Sequence, residues 1–220
     1  MNAVSRRWSL TALVAVVATA VVLVVWRPWQ ASVASLPTTA CWGALSADDL
    51  RPLAQKDHPL TAATKPGTLQ ATPQATKDGY SCLLSTGSGK DWSMPVVGPD
   101  VNLYFGDLQT SRKVDESLGK VQPLAFGDGN LAWEVAGNDY FVKLGIPCTF
   151  QDSAGQPAKG YAVVSLHTVY RLGAPVPPTD LRQAEATMVL KVAKLFAQQY
   201  PCPGVTLPDR APILPDFPWA

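Results

Sequence analysis

Residues 131–144 run Leu-Ala-Trp-Glu-Val-Ala-Gly-Asn-Asp-Tyr-Phe-Val-Lys-Leu, two aromatic-rich segments flanking Gly137-Asn138-Asp139. Turn formers between two runs of β-favouring residues read as a hairpin, the clearest in the chain. Outward from it, Tyr161 to Tyr170 carries the longest alternation, with Val163, Ser165, His167 and Val169 interleaved with Val164, Leu166, Thr168 and Tyr170. The second set is apolar apart from Thr168 and a tyrosine hydroxyl, the pattern of an antiparallel strand buried on one face. Further strand signals span Leu131 to Val135, Tyr140 to Leu144, Tyr80 to Leu84 and Val101 to Phe105. Turn clusters at Gly87-Ser88-Gly89 and Gly127-Asp128-Gly129-Asn130 help to separate them.

Two helices complete the pattern. After Pro177, Pro178 and Thr179, Asp180 is placed to cap a helix with Gln183 three positions on. Leu181, Ala184, Met188, Val192, Leu195 and Phe196 follow at helical steps and should pack on the sheet. Arg182, Gln183, Thr187, Lys191, Lys194 and Gln198 oppose them and should face water. A shorter helix starts at Ser46, which pairs with Asp49 as a capping box, and Pro52 keeps it short. Asp57 to Gly79 has no sustained period and reads as mostly loop. The expected fold is therefore α+β, an antiparallel sheet with a long C-terminal amphipathic helix packed on it. The proline-rich stretch 206–220 is expected to lie on the domain surface in polyproline conformation.

Ahead of this domain, Leu10 to Trp26 contains no charged residue and is dominated by Val, Ala and Leu. A helix of that length reaches roughly 25 Å, and slightly more with Trp8 and Ser9, enough to cross a bilayer. Trp8, Trp26 and Trp29 suit the two headgroup layers, and Arg6 and Arg7 put the N-terminus in the cytoplasm. The organisation read from this is a cytoplasmic tail over 1–8, a transmembrane helix or signal anchor over 9–26, a linker over 27–40, an extracytoplasmic domain over 41–205 and the tail over 206–220. The competing reading is a signal peptide cleaved near Ala34, where Ser32 and Ala34 have suitable spacing. The apolar run exceeds an ordinary signal core, however, and Arg27, Pro28 and Trp29 intervene. Both readings export the same domain.

The composition narrows the choice of partner. Of 18 basic residues, Arg6, Arg7 and Arg27 belong to the N-terminal region, leaving 15 against 17 acidic ones, a net of −2 for the exported part. A nucleic-acid partner needs clustered cations, so none is expected. Cys41, Cys82, Cys148 and Cys202 all fall on the exported side, with no C-x-x-C pair and with His58 and His167 far from every cysteine in sequence. Two disulfides are therefore expected rather than a zinc site. Three connectivities are open. Cys41 with Cys82 and Cys148 with Cys202 is preferred, because each pair ties a helix-bearing segment to a strand.

No motif points to catalysis. Gly87-Ser88-Gly89-Lys90 lacks the other residues of a phosphate-binding loop, since Leu84 and Asp91 stand where Gly and Ser or Thr are needed. There is no G-x-S-x-G elbow, although Ser165 and His167 share a strand face at i and i+2. Asp48 with Asp49, and Asp115 with Glu116, read as helix N-terminal charge, and Glu134 and Asp139 flank the hairpin turn. Asp128 lacks the alternating ligands of a calcium loop. Trp42, Trp92, Trp133 and Trp219 are scattered and read mainly as core. No catalytic, cofactor or metal residue is assigned.

Cys41, a capped helix from Ser46 and Cys82 in a strand, together with richness in Ala, Val, Pro and Thr, resemble small actinobacterial membrane-anchored or secreted cell-envelope proteins of unknown function. The resemblance covers about a quarter of the chain. It implies an α+β envelope domain. Such domains are often lipid-anchored, but Thr38 stands three positions before Cys41 where lipid attachment needs a Leu-like residue. The expected function is a non-catalytic binding module for an envelope protein, wall or lipid ligand; the alternative is an exported hydrolase with a non-local site near His167.

Overall fold

The computed structural model describes residues 36–54, 60–65, 69, 79–86, 96–104, 107–137, 139–151, 154–168, 177–200 and 202–217. The apolar segment 9–26 lies outside these residues, and no helix among the described residues is long and apolar enough to cross a membrane. The fold is α+β, with a large antiparallel sheet and a C-terminal helix.

A small ribbon opens the domain, β1 (Thr39–Ala40) pairing with β2 (Leu45–Ser46) around a 3₁₀ turn at Cys41–Gly43. Cys41 and Trp42 adopt φ of 51° and 62°, a region that costs energy for side-chain-bearing residues. The Cys41–Cys82 disulfide and the Ala44 N–H bond to the Cys41 carbonyl hold the turn in place. Helix α1 (Ala47–Leu50) follows with the expected capping box, Ser46 and Asp49 satisfying each other's backbone N–H.

Seven strands form the sheet: β3 (Leu60–Lys65), β4 (Tyr80–Thr86), β5 (Val96–Tyr104), β6 (Gly119–Leu124), β7 (Leu131–Gly137), β8 (Tyr140–Gln151) and β9 (Pro157–Thr168). Their spatial order is β3-β4-β5-β9-β8-β7-β6, every neighbour antiparallel. Two meanders, β3 to β5 and β6 to β9, join where β5 pairs with β9. The chain leaves β5 in the middle of the sheet and must reach β6 at its far edge. Helix α2 (Leu108–Leu118) makes that crossing and packs on β6 and β7.

The two faces of the sheet differ because the side chains alternate. Tyr140, Val142, Leu144, Ile146, Cys148 and Phe150 of β8, with Ala162, Val164 and Leu166 of β9, are buried beneath helix α3 (Thr179–Gln199). The opposite face holds a smaller apolar cluster of Leu108, Trp133, Val135, Phe141 and Val163 under α2. A Cβ on Gly145 would collide with the end of Leu108, so the missing side chain seats the N-terminus of α2 on β8.

The expected hairpin forms between β7 and β8, with Gly137 N–H donating to the Asp139 carbonyl. Four expectations change. The segment read as loop contains β3, an edge strand whose Thr61, Ala62 and Ala63 are exposed and show no apolar alternation. Helix α3 starts at Thr179 with Pro178 as its N-cap, so Asp180 sits in the first turn instead of capping. Its buried stripe includes Arg182 and Glu185, and Arg182, expected on the water face, is 1% exposed.

The C-terminal tail does more than lie on the surface. Leu214 and Phe217 are buried, Asn130 donates to the Thr206 carbonyl, and the Gln183 amide donates to the Pro212 carbonyl while accepting from Leu214 N–H.

Candidate functional site

On the α2 face, one row of side chains crosses the middle of the sheet because the register sets them opposite one another. Ser81 of β4 faces Asp100 of β5, Asp100 faces Ser165 of β9, and Ser165 faces Lys143 of β8. The adjacent row holds Gly98, His167 and Phe141 on β5, β9 and β8. Four strands from the two meanders thus bring Ser165 and His167 together with a carboxylate from a distant segment.

The charges on this face are unequally satisfied. Asp115 of α2 is 3% exposed and receives the Trp133 indole N–H at 2.7 Å and the Lys143 ammonium at 2.9 Å on both oxygens. Lys143 also lies 4.8 Å from the Phe141 ring centroid. Phe141 meets the His167 ring edge-on at 5.9 Å, and His167 Nε2 is 3.4 Å from Asp139 Oδ2. Asp100 is half-buried, and burial raises its carboxyl pKa above the ordinary aspartate range, with His167 acting in the opposite direction. No described side chain donates a hydrogen bond to it.

The backbone keeps this spot open. Pairing between β4 and β5 runs through Tyr80–Val101 and Ser81–Asp100, then resumes only at Leu84–Val97. Pro99 has no N–H for the missing rung. A Cβ on Gly98 would come within 2.6 Å of the Cys82 carbonyl oxygen, so only glycine fits. The residue opposite His167 therefore has no side chain to cover the ring, and the His167 side chain is 48% exposed. Leu83 on the neighbouring strand is 48% exposed as well.

Other expected residues distribute as follows. The cysteines pair in the preferred way, Cys41 with Cys82 and Cys148 with Cys202, and no free cysteine remains. Asp48 and Asp49 occupy the first turn of α1. Asp115 is different: it sits in the second half of α2 and is held by Lys143 and Trp133, so N-terminal charge does not explain it. Trp133 is core. His58, Trp92, Trp219 and the Gly87–Lys90 turn lie outside the described residues, among which no group of three metal-ligating side chains occurs.

The residues that sequence reading overlooked are buried beneath α3. Glu134, fully buried, accepts two bonds from the Arg182 guanidinium and one from the Tyr140 hydroxyl at 2.6 Å. Thr168 donates to the equally buried Glu185 at 2.7 Å. Burial and the Glu134 charge raise the Tyr140 pKa, so the phenol stays protonated. Burial alone would lower the Arg182 pKa, but Glu134 more than reverses this and keeps the guanidinium charged. Arg182 then reaches the Pro215 carbonyl at 3.0 Å and stacks 4.8 Å from the centre of the Phe217 ring. This network locks helix, sheet and tail together, and its groups face inward.

No protein-family model matches the chain, and comparisons find no similar curated protein and no matching solved structure. Function has to be read from the geometry of the site itself. The two disulfides belong to an oxidising environment outside the cytoplasm.

Proposed function

We propose that this chain is an extracytoplasmic binding module of the cell envelope. The apolar segment 9–26 tethers it to the membrane, and it takes a protein, wall or lipid partner on the sheet face around Asp100 and His167. Cleavage near Ala34 would release the same module. The observation that carries this reading is the half-buried Asp100 carboxylate, which has no donor among the described residues and stands beside an exposed His167. A carboxylate partly withdrawn from water on an accessible face, with no protein donor among the described residues, marks a place where a ligand can supply one. Asp100 and Asp139 together favour a partner that presents hydrogen-bond donors or positive charge.

A hydrolase is the second reading, because Asp100, Ser165 and His167 share one face. Three features favour binding. Ser165 and His167 share no hydrogen bond, the His167 ring is directed to Asp139, and the ammonium opposite Ser165 is engaged by Asp115. A photo-crosslinking residue at Leu83 in intact cells tests the proposal. Capture there, but not from Gln198 on the exposed side of α3, is the expected result; capture from Gln198 alone would overturn it. A reporter fused after Ala220 and active only in the cytoplasm would overturn the topology.

A further inference from the structure

A second site lies at the other end of the long β8–β9 hairpin. Pairing of β7 with β8 ends at Leu131–Gly145 and that of β5 with β9 at Tyr104–Tyr161, so beyond these rungs β8 and β9 continue as a two-stranded arm. The arm is braced from below: Phe150 packs on Tyr200, Tyr200 donates to the Thr149 carbonyl, and the Cys148–Cys202 disulfide ties it to the end of α3. Against it is a cavity of about 590 Å³, within the range of small-molecule sites. The rungs Pro147–Tyr161, Cys148–Gly160 and Thr149–Lys159 form one wall, and Pro203, next to the disulfide, forms the other. Leu108 is seated on Gly145, whose rung with Val163 lies between the arm and the row that holds Asp100.

The chemistry of the lining defines what fits. Pro147, Tyr161 and Pro203 carry rings among the lining residues, and the C–H face of a sugar can stack on such rings. Thr149 and Tyr161 offer hydroxyls that have no partner among the described residues, and Lys159 offers an exposed ammonium that has no ion-pair partner among them. Among the described residues, no carboxylate lines the cavity. A ligand with a ring face, hydroxyls and one negative charge complements each of these groups. From this we infer that the arm cavity binds acidic sugars, meaning saccharides that carry a carboxylate or a phosphate, with Lys159 at the anion, Thr149 at the hydroxyls and Tyr161 against the ring.

The test uses the full chain in detergent micelles and calorimetric titration with glucuronate, glucose 6-phosphate, neutral glucose and inorganic phosphate. Either acidic sugar should bind at least about tenfold more tightly than glucose and than inorganic phosphate. The comparison of glucuronate with glucose 6-phosphate tells which anion is preferred. Lys159→Gln should reduce the acidic sugar to the affinity of glucose, while Asp100→Asn should leave it unchanged, which separates this site from the open face. Wild-type protein supplies an independent readout: the acidic sugar should protect Lys159 from acetylation but not the exposed Lys113. The inference fails if inorganic phosphate binds as tightly as the sugar phosphate, if Lys159→Gln binds like the wild type, or if Lys159 is not protected.

Discussion

Replacing Arg182 with Met tests what holds the tail and the helix to the sheet. The substitution removes both guanidinium bonds to Glu134, the bond to the Pro215 carbonyl and the stack on Phe217. It keeps most of the side-chain volume. Glu134 then remains fully buried with the Tyr140 hydroxyl as its one donor among the described residues. Breaking a buried pair by deleting one partner costs about 3–5 kcal/mol, because the surviving charge is left uncompensated. With a urea slope of about 2 kcal/mol per molar, the unfolding midpoint should fall by about 2 M at pH 7 with the disulfides intact. The double variant Arg182→Met, Glu134→Gln removes the orphaned charge and should recover most of that loss. The exposed pair of Arg51 with Asp48 is the control, and Arg51→Ala should cost less than about 1 kcal/mol. A loss below about 1 kcal/mol for Arg182→Met, or a double variant no more stable than the single one, would refute the reasoning.

Four further outcomes can be checked with the same unfolding assay or simple extensions of it. Serine pairs at Cys41 and Cys82, or at Cys148 and Cys202, open loops with separations of 41 and 54 residues, and the chain-entropy relation gives similar losses of roughly 4 kcal/mol each; a markedly smaller loss for either pair would mean that the open form keeps its structure. Gly98→Ala should cost about 1–3 kcal/mol, since its methyl would meet the Cys82 carbonyl at 2.6 Å, and an unchanged urea midpoint would contradict this. Gln183→Ala loses both bonds to the tail and should cost about 1–2 kcal/mol, with faster hydrogen exchange confined to residues 206–217. Asp100→Asn addresses pH: burial raises the folded-state pKa above the unfolded value, so ionisation costs stability as pH rises through that interval. The variant should match the wild type at about pH 3 and be more stable at about pH 7 while losing the partner; lower stability at pH 7 would show that the carboxylate is satisfied.

Much of the sheet could be read from the chain, and particular residues explain where reading stopped. The β7–β8 hairpin was visible because Gly137 and its neighbours separate two aromatic-rich runs, and β9 was visible because apolar residues alternate in it. Ser46 and Asp49 signalled α1 through local geometry alone. Helix α2 gave no such signal: only Leu108 and Asp115 of its residues are buried, and the second is an acid. The error on α3 is the most instructive. Arg182, Glu185, Val189, Val192 and Phe196 recur at three- and four-residue steps and form its buried stripe. Periodicity was present, but charge pointed to water because the groups that compensate it, Glu134 and Thr168, are 48 and 17 residues away.

The candidate site followed the same rule. Ser165 and His167 share a face by strand alternation, which local sequence reveals. Asp100 joins them only because β5 pairs with β9, a long-range register that no local pattern encodes.

The most direct test of the binding face is crosslinking yield in intact cells from a photoreactive residue at Leu83, measured in wild-type and Asp100→Asn backgrounds, with Gln198 as the reference position. A specific crosslink at Leu83, lost in Asp100→Asn and absent at Gln198, is the predicted result. An equal yield with and without the Asp100 carboxylate, or capture from Gln198 alone, would contradict it.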